Sequence, residues 1–220
     1  MQRRFGSTVT ALPECLRLQQ RKHAMTSHIS LHAAPAAGFD EPFEMLLACH
    51  ERVLRMLQLL QRLGGHLADR GNDSDARQAA RDVMRYFDIA GPAHHQDEER
   101  HLFPALLAAA GPHQAVPEQS VQLVQLVQRL HQDHSAMEQG WRQVRADLQA
   151  VCEGAPVDGG LLEALAAARA RWQQFAELYA AHIVAEEGEA YPAARALLDE
   201  PALQQMGDEM AARRGVPGRR

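Results

Sequence analysis

Aromatic residues make up only 5% of this 220-residue chain, while Ala, Leu, Gln, Glu and Arg dominate. A shortage of bulky strand formers beside an abundance of good helix formers argues for helix over strand. No apolar run approaches the ~20 residues that a membrane-spanning helix needs. Basic charge is not in excess either. The formal net charge of −5 gives none of the cationic footprint that nucleic acid requires. Cysteine is rare, and Cys15, Cys49 and Cys152 form no C-x-x-C pair, so neither a disulfide framework nor a thiolate zinc site is indicated. A reducing cytoplasm suits that usage. Arg3-Arg4 is followed by no apolar segment, which argues against a secretory or twin-arginine signal. Residues 1–38 lack periodicity and read as a disordered leader, with Met25 as an alternative start.

What remains is long, amphipathic and rich in histidine, with twelve in all. Apolar residues at helical spacing predict a first helix from about Pro42 to Asp69, with His50 on its apolar stripe. A second covers roughly Asp75 to Ala110, kinked at Gly91-Pro92 and bent or ended at Pro104. A third runs from about Glu118 to Val151 and a fourth from about Leu161 to Leu198. Short Gly/Pro-rich breaks separate them, and Gly71-Asn72-Asp73-Ser74 offers helix caps. Residues 39–200 are therefore expected to form an all-α, antiparallel up-down-up-down four-helix bundle. Residues 201–220 should add a short helix and a tail.

One signature occurs twice, 88 residues apart. Phe87, His94, Glu98, Glu99, Phe103 and Pro104 recur as Phe175, His182, Glu186, Glu187, Tyr191 and Pro192. A His and a Glu four apart lie one above the other on a helix face, and the Phe seven residues earlier marks that face as the inner one. Buried imidazole and carboxylate are costly without a partner. A metal ion is the simplest partner. Each predicted hairpin offers one His from its first helix, His50 or His134, and a His-x-x-x-Glu from its second. Each feature alone has a plainer explanation: a core histidine bonded to a carbonyl, or a solvated helix pair. Six such residues at one level of four helices are harder to explain that way.

His95 and Glu99 also stand four apart, so the register of the second helix has an alternative. The stripe through Val83, Phe87 and Ala90 carries His94 and Glu98 inward, and the fourth helix has one His at that level. His95, Glu99 and Glu187 are accordingly read as groups behind the ligands or on the surface. His131, one turn before His134, is a candidate fifth imidazole, with a place on the rim as the alternative. His66 and Glu138 are weaker candidates, and His101 and His113 are expected to face solvent. Six mixed nitrogen and oxygen donors are too many for one tetrahedral zinc and suit two octahedral ions. Glu98 and Glu186 can each bridge both. Imidazole with carboxylate favours iron or manganese over copper(I), and at least one coordination position stays open for a small molecule.

At these residues the chain resembles the hemerythrin-like family, the HHE cation-binding domain. Glu98-Glu99-Arg100-His101-Leu102-Phe103-Pro104 is similar to that family's E-E-x-x-L-F-P segment, and Glu186-Glu187-Gly188-Glu189-Ala190-Tyr191-Pro192 to its second copy. Met210-Ala211-Ala212-Arg213-Arg214 resembles the tail of some bacterial members. The resemblance implies two iron ions in a non-haem pair with an oxo or hydroxo bridge. It implies O2, NO or peroxide as the small ligand. Animal hemerythrins place two His four apart on the third helix and an Asp on the fourth. Here His131 and His134 are three apart and the fourth helix offers Glu186.

Four functions fit this reading. The first is a di-iron protein that binds O2, NO or reactive oxygen species for sensing, storage or stress response. The second is a di-iron enzyme of peroxidase, NO-reducing or ferroxidase type. The third is an iron-donating or iron–sulfur-cluster repair factor, whose relatives often carry a cysteine-bearing N-terminal domain that has no match here. The last is a metal-free helical interaction module. No nucleic-acid or membrane partner is expected, and a sensor would signal through a separate protein.

Overall fold

The computed structural model of the protein describes residues 38–111, 117–154 and 159–216. The long elements are α1 (Pro42–Arg70), α2 (Ser74–Asp97), α4 (Pro117–Cys152) and α5 (Gly159–Ala185). The shorter α3 (Phe103–Ala109) and α6 (Tyr191–Leu197) continue α2 and α5 beyond a widened turn in each. A last helix, α7, spans Glu200–Arg213. No strand occurs among the described residues, and none of the described helices is long and apolar enough to cross a membrane. The leader and its Met25 start lie outside the described residues apart from Gly38, as does His113.

Local chemistry sets the boundaries. Pro42 begins α1 in the first turn, where its missing N–H costs nothing. Gly71 ends α1 with φ at 78°, a conformation that favours glycine. Asp73 caps α2 by accepting from the Ala76 N–H at 2.9 Å, and Asp199 caps α7 through the Ala202 N–H at 3.0 Å.

The bundle expected from the sequence is present, and its ties show the antiparallel order. Tyr86 of α2 donates to the Cys49 carbonyl of α1. Trp141 of α4 donates to Asp88 of α2. Arg171 and Trp172 of α5 both donate to Asp147 of α4. From α1, Glu44 pairs with Arg195 of α6 and Gln61 with Gln173 of α5. As one helix ascends in number, its neighbour descends.

The widened turns lie at Glu98–Leu102 and Glu186–Ala190. In each, the N–H five residues on reaches back to the first carbonyl, Phe103 to Glu98 and Tyr191 to Glu186. The cause follows directly at Pro104 and Pro192. Proline has no N–H for the carbonyl four residues earlier, and its ring would strike that carbonyl in a regular α-turn. A π-type turn relieves both problems and is common at functional sites. The sequence suggests a bend or an end at Pro104; the helix instead continues through a wider turn. That turn also returns the aromatic residue to the side of the preceding glutamate.

Buried apolar side chains among the described residues form two clusters. One is built around Leu57, Leu60, Phe87, Trp172 and Phe175. The other contains Leu46, Leu102, Leu106, Leu130 and, from α7, Met206 and Met210. Between them lies a buried polar layer of His50, His94, Glu98, His134, His182 and Glu186. α7 packs so closely that a Cβ on Gly207 would stand 1.9 Å from the Phe39 carbonyl oxygen. Its end is tied by Arg213 and Arg214, which bond the buried Asp97 carboxylate at 2.7 and 2.6 Å.

Candidate metal centre

All six residues of the duplicated pattern meet in the polar layer, each no more than 5% exposed. α1 supplies His50, α2 supplies His94, α4 supplies His134 and α5 supplies His182, while the two widened turns begin with Glu98 and Glu186. Their donor atoms form two overlapping sets, each with every atom within 4.8 Å of the others. The first set is His50, His94, Glu98 and Glu186; the second is Glu98, His134, His182 and Glu186. Both carboxylates belong to both sets. That is the geometry required of bridging ligands.

The closest approaches are His182 Nε2 to Glu186 Oε1 at 2.9 Å and His50 Nε2 to Glu186 Oε2 at 3.1 Å. His94 Nε2 stands 3.3 Å from Glu98 Oε1, and His134 Nε2 stands 3.5 Å from Glu98 Oε2. Proximity does not make these hydrogen bonds. Both Glu186 oxygens, Glu98 Oε2 and both His94 nitrogens are sealed from solvent without an aligned partner. Buried carboxylate oxygens left in that state cost several kcal/mol each by general measure. A cation between the facing lone pairs removes the cost.

Behind these donors is a ring of supporting groups. Glu187 accepts from His50 Nδ1 at 3.0 Å and Glu99 from His134 Nδ1 at 2.7 Å. Asp133 faces His182 Nδ1 at 3.3 Å. Carboxylates so placed fix the proton on Nδ1, aim Nε2 at the centre and raise its basicity. Tyr191 donates its hydroxyl to Glu98 Oε1 at 2.5 Å, and that hydroxyl lies 3.1 Å from His50 Nε2. Its counterpart in the first repeat, Phe103, packs on His134 without a polar atom.

Without a cation these groups carry displaced acidities. Burial disfavours a charged His50, but the Glu186 and Glu187 carboxylates outweigh it and lift the pKa to about 9. His134 is likewise lifted to about 9, with Glu98 and Glu99 overcoming burial. Burial alone dominates at His94, which is pushed well below its usual value. Burial raises Glu98 and Glu186, yet their imidazole neighbours win and both end below the ordinary carboxylate range. Opposite charge prevails over desolvation at His50 and His134, which each face two glutamates, and not at His94, which faces Glu98 alone.

The other candidates fall elsewhere. His131 is half exposed, with Nδ1 3.7 Å from Glu99, and belongs to neither set. His66 bonds Asp73 at the α1–α2 loop, and Glu138 pairs with Arg142 on the exposed face of α4. His101 does not face solvent as the sequence suggests. Its side chain is 11% exposed, between Arg213 and Glu209, because α7 covers it. Glu99 and Glu187 occupy the supporting positions expected of them. His95 stacks on His134, and one of its ring nitrogens lies within 4.8 Å of the donors of His134 and His182. The repeat contained a signal for this, since its partner 88 residues on is Ile183, a buried core residue. His95 and His134 also line a cleft of about 510 Å³ between α2 and α4, together with Trp141 and Tyr179.

The fold and the layer together define a four-helix cation-binding bundle. The chain belongs to the hemerythrin HHE cation binding domain family, whose model matches residues 41–194. It is also similar to an uncharacterized protein of Haemophilus influenzae, 29% identical over 182 residues that span 82% of this chain and 94% of that protein.

Proposed function

We propose that this protein is a non-haem di-iron protein that binds O2, NO or a reactive oxygen species, in sensing, storage or a stress response. The observation that supports this most is the sharing of Glu98 and Glu186 between two donor sets while three of their four oxygens have no hydrogen-bond donor. Two cations, each with two imidazoles and a share of both carboxylates, would satisfy every one of those oxygens. The donor set suits iron or manganese, since imidazole and carboxylate are their ordinary ligands and no thiolate is in the sets.

A bound metal pair would supply open coordination positions for a small molecule and a source or sink of electrons. The residues around it do the rest. Glu187, Glu99 and Asp133 keep the Nδ1 protons in place, which holds Nε2 of His50, His134 and His182 free to coordinate. The two apolar clusters exclude water above and below the layer. Tyr191 holds a proton at its hydroxyl against Glu98, and a cleft between α2 and α4 is lined by His134 of the layer.

Anaerobic purification, metal analysis, and absorption spectra before and after adding O2, NO or peroxide test this reading. About two irons per chain and a charge-transfer spectrum that responds to one of those ligands are expected. One tightly bound zinc and no iron, from cells grown with ample iron, would defeat it.

A further inference from the structure

We infer that the cleft between α2 and α4 is a binding site for a small aromatic amine in its protonated form. Its volume of about 510 Å³ falls in the usual range for small-molecule pockets, roughly 300–1,000 Å³. Part of its lining is aromatic. Phe87 stands between Trp141 and Tyr179, with ring centroids 5.1 and 5.5 Å away. Such rings pack against another ring edge-on or offset, and their faces attract a cation within about 6 Å. Trp141 is held in place, because its indole N–H donates to Asp88 at 3.0 Å.

Charge selects the amine. Among the described residues the cleft is lined by the carboxylates of Glu99 and Glu138 and by no lysine or arginine, which disfavours an anion. Glu138 is mostly exposed and shares its charge with Arg142, so the recognising carboxylate is Glu99. One Glu99 oxygen accepts from His134 Nδ1, which leaves the other for an ammonium donor, and a charged pair of that kind is stronger than a neutral one. The space itself depends on Gly91, whose counterpart 88 residues on is Tyr179. A Cβ on Gly91 would stand 3.7 Å from the Tyr179 hydroxyl and 3.8 Å from Phe87 Cδ1. Those are ordinary contacts, so close packing does not demand glycine there; the missing side chain leaves the cleft open.

Titration calorimetry of the protein as purified, at pH 7, tests the site with 2-phenylethylamine. Its anionic and neutral counterparts are 3-phenylpropionate and 2-phenylethanol. The amine should bind once per chain and ~10-fold or more tighter than either, the weight of one charged hydrogen bond. Gly91→Leu, which fills the cleft, should abolish binding, and Trp141→Leu should weaken it ~10-fold. In Glu99→Gln the amine should lose its advantage over the alcohol, a comparison within one variant that any change in metal content leaves intact. No saturation below ~10 mM amine, or a counterpart that binds as tightly, overturns the inference. So does a preference for the amine that survives in Glu99→Gln. Wild-type binding by both Gly91→Leu and Trp141→Leu would place the amine elsewhere and overturn it as well. Circular dichroism checks that each is folded, and Trp141→Phe takes the place of either that is not.

Discussion

Glu187 and His50 are 137 residues apart in sequence, yet the carboxylate accepts from the imidazole Nδ1 at 3.0 Å. The relation is repeated across the bundle, where Glu99 accepts from His134 Nδ1 at 2.7 Å. In each Glu-Glu pair the first residue enters the polar layer and the second braces the lone histidine of the opposite hairpin. The two hairpins therefore orient each other's inward histidines.

That division of labour separates two kinds of glutamate. Glu98→Ala or Glu186→Ala removes a donor common to both sets and should abolish binding of the pair. Glu99→Gln or Glu187→Gln should leave two ions bound but weaken them ~10–100-fold, the usual effect of losing an orienting partner. Metal stoichiometry with chelator competition measures both. Were Glu99→Gln to empty the site while Glu98→Ala filled normally, the register of α2 would be wrong by one residue.

Tyr191 is where the duplication departs from symmetry, having Phe103 as its counterpart. Its hydroxyl reaches a carboxylate, and such charged hydrogen bonds contribute ~1.5–3 kcal/mol. Tyr191→Phe copies the first repeat and preserves stacking on His50. It should shift the charge-transfer bands of the iron-loaded protein and speed release of one metal to a chelator, with helix content unchanged. Identical spectra and release rates would show that the hydroxyl merely fills space.

How much of this was legible beforehand differs by residue. The bundle followed from the period that burial of a helix face imposes, and the meeting of six His and Glu side chains in one buried layer from the repeat. The widened turns were not legible as such. Pro104 and Pro192 announce a broken α-turn, but whether the helix bends, ends or widens depends on packing beyond it. His95, read from the sequence as a group behind the ligands or on the surface, stacks on His134. Asp88 sits at the edge, bonded by Trp141 and Arg145, and the inward residue at the repeat position, Ile183, was the better guide. Asp97 had no signal at all, since its partners are more than a hundred residues away in α7 and just beyond it.

The Asp97 tie should matter to stability more than an ordinary ion pair. The carboxylate is fully buried and bonded by both Arg213 and Arg214, themselves mostly buried. Removing one partner of a buried pair costs ~3–5 kcal/mol because the other is left uncompensated. Asp97→Ala should lower the denaturation midpoint by a corresponding amount in urea. It should also loosen α7 over His101, which proteolysis near Arg213 would report. A loss below ~1 kcal/mol would mean that the tie behaves as a surface pair.

Acidity gives the most demanding expectation, because metal-free and loaded protein should respond in opposite directions. In metal-free protein His50 and His134 have pKa values raised to about 9, above the ordinary 6.5. Their contribution to stability is complete below about 6.5 and is lost as pH rises through about 9. Burial gives His94 and His95 the opposite shift, His95 to about 3. The unfolded chain takes up those protons below its usual value of 6.5 while the native state resists, so acid destabilises. Lowered Glu98 and Glu186 add to the acid loss once pH falls beneath the ordinary carboxylate value of 4.5. Metal-free protein should therefore melt highest near pH 6.5 and decline on both sides. Metal binding requires neutral imidazole and supplies between the carboxylates the positive charge that protons supply in its absence. The gap in melting temperature between loaded and metal-free protein should accordingly be small near pH 5 and widen steadily to pH 9. Calorimetry across that range measures both curves. A metal-free melting temperature that stays level from pH 6.5 to 9 would show that His50 and His134 are not held protonated by the glutamates, and the electrostatic account of the layer would have to be abandoned.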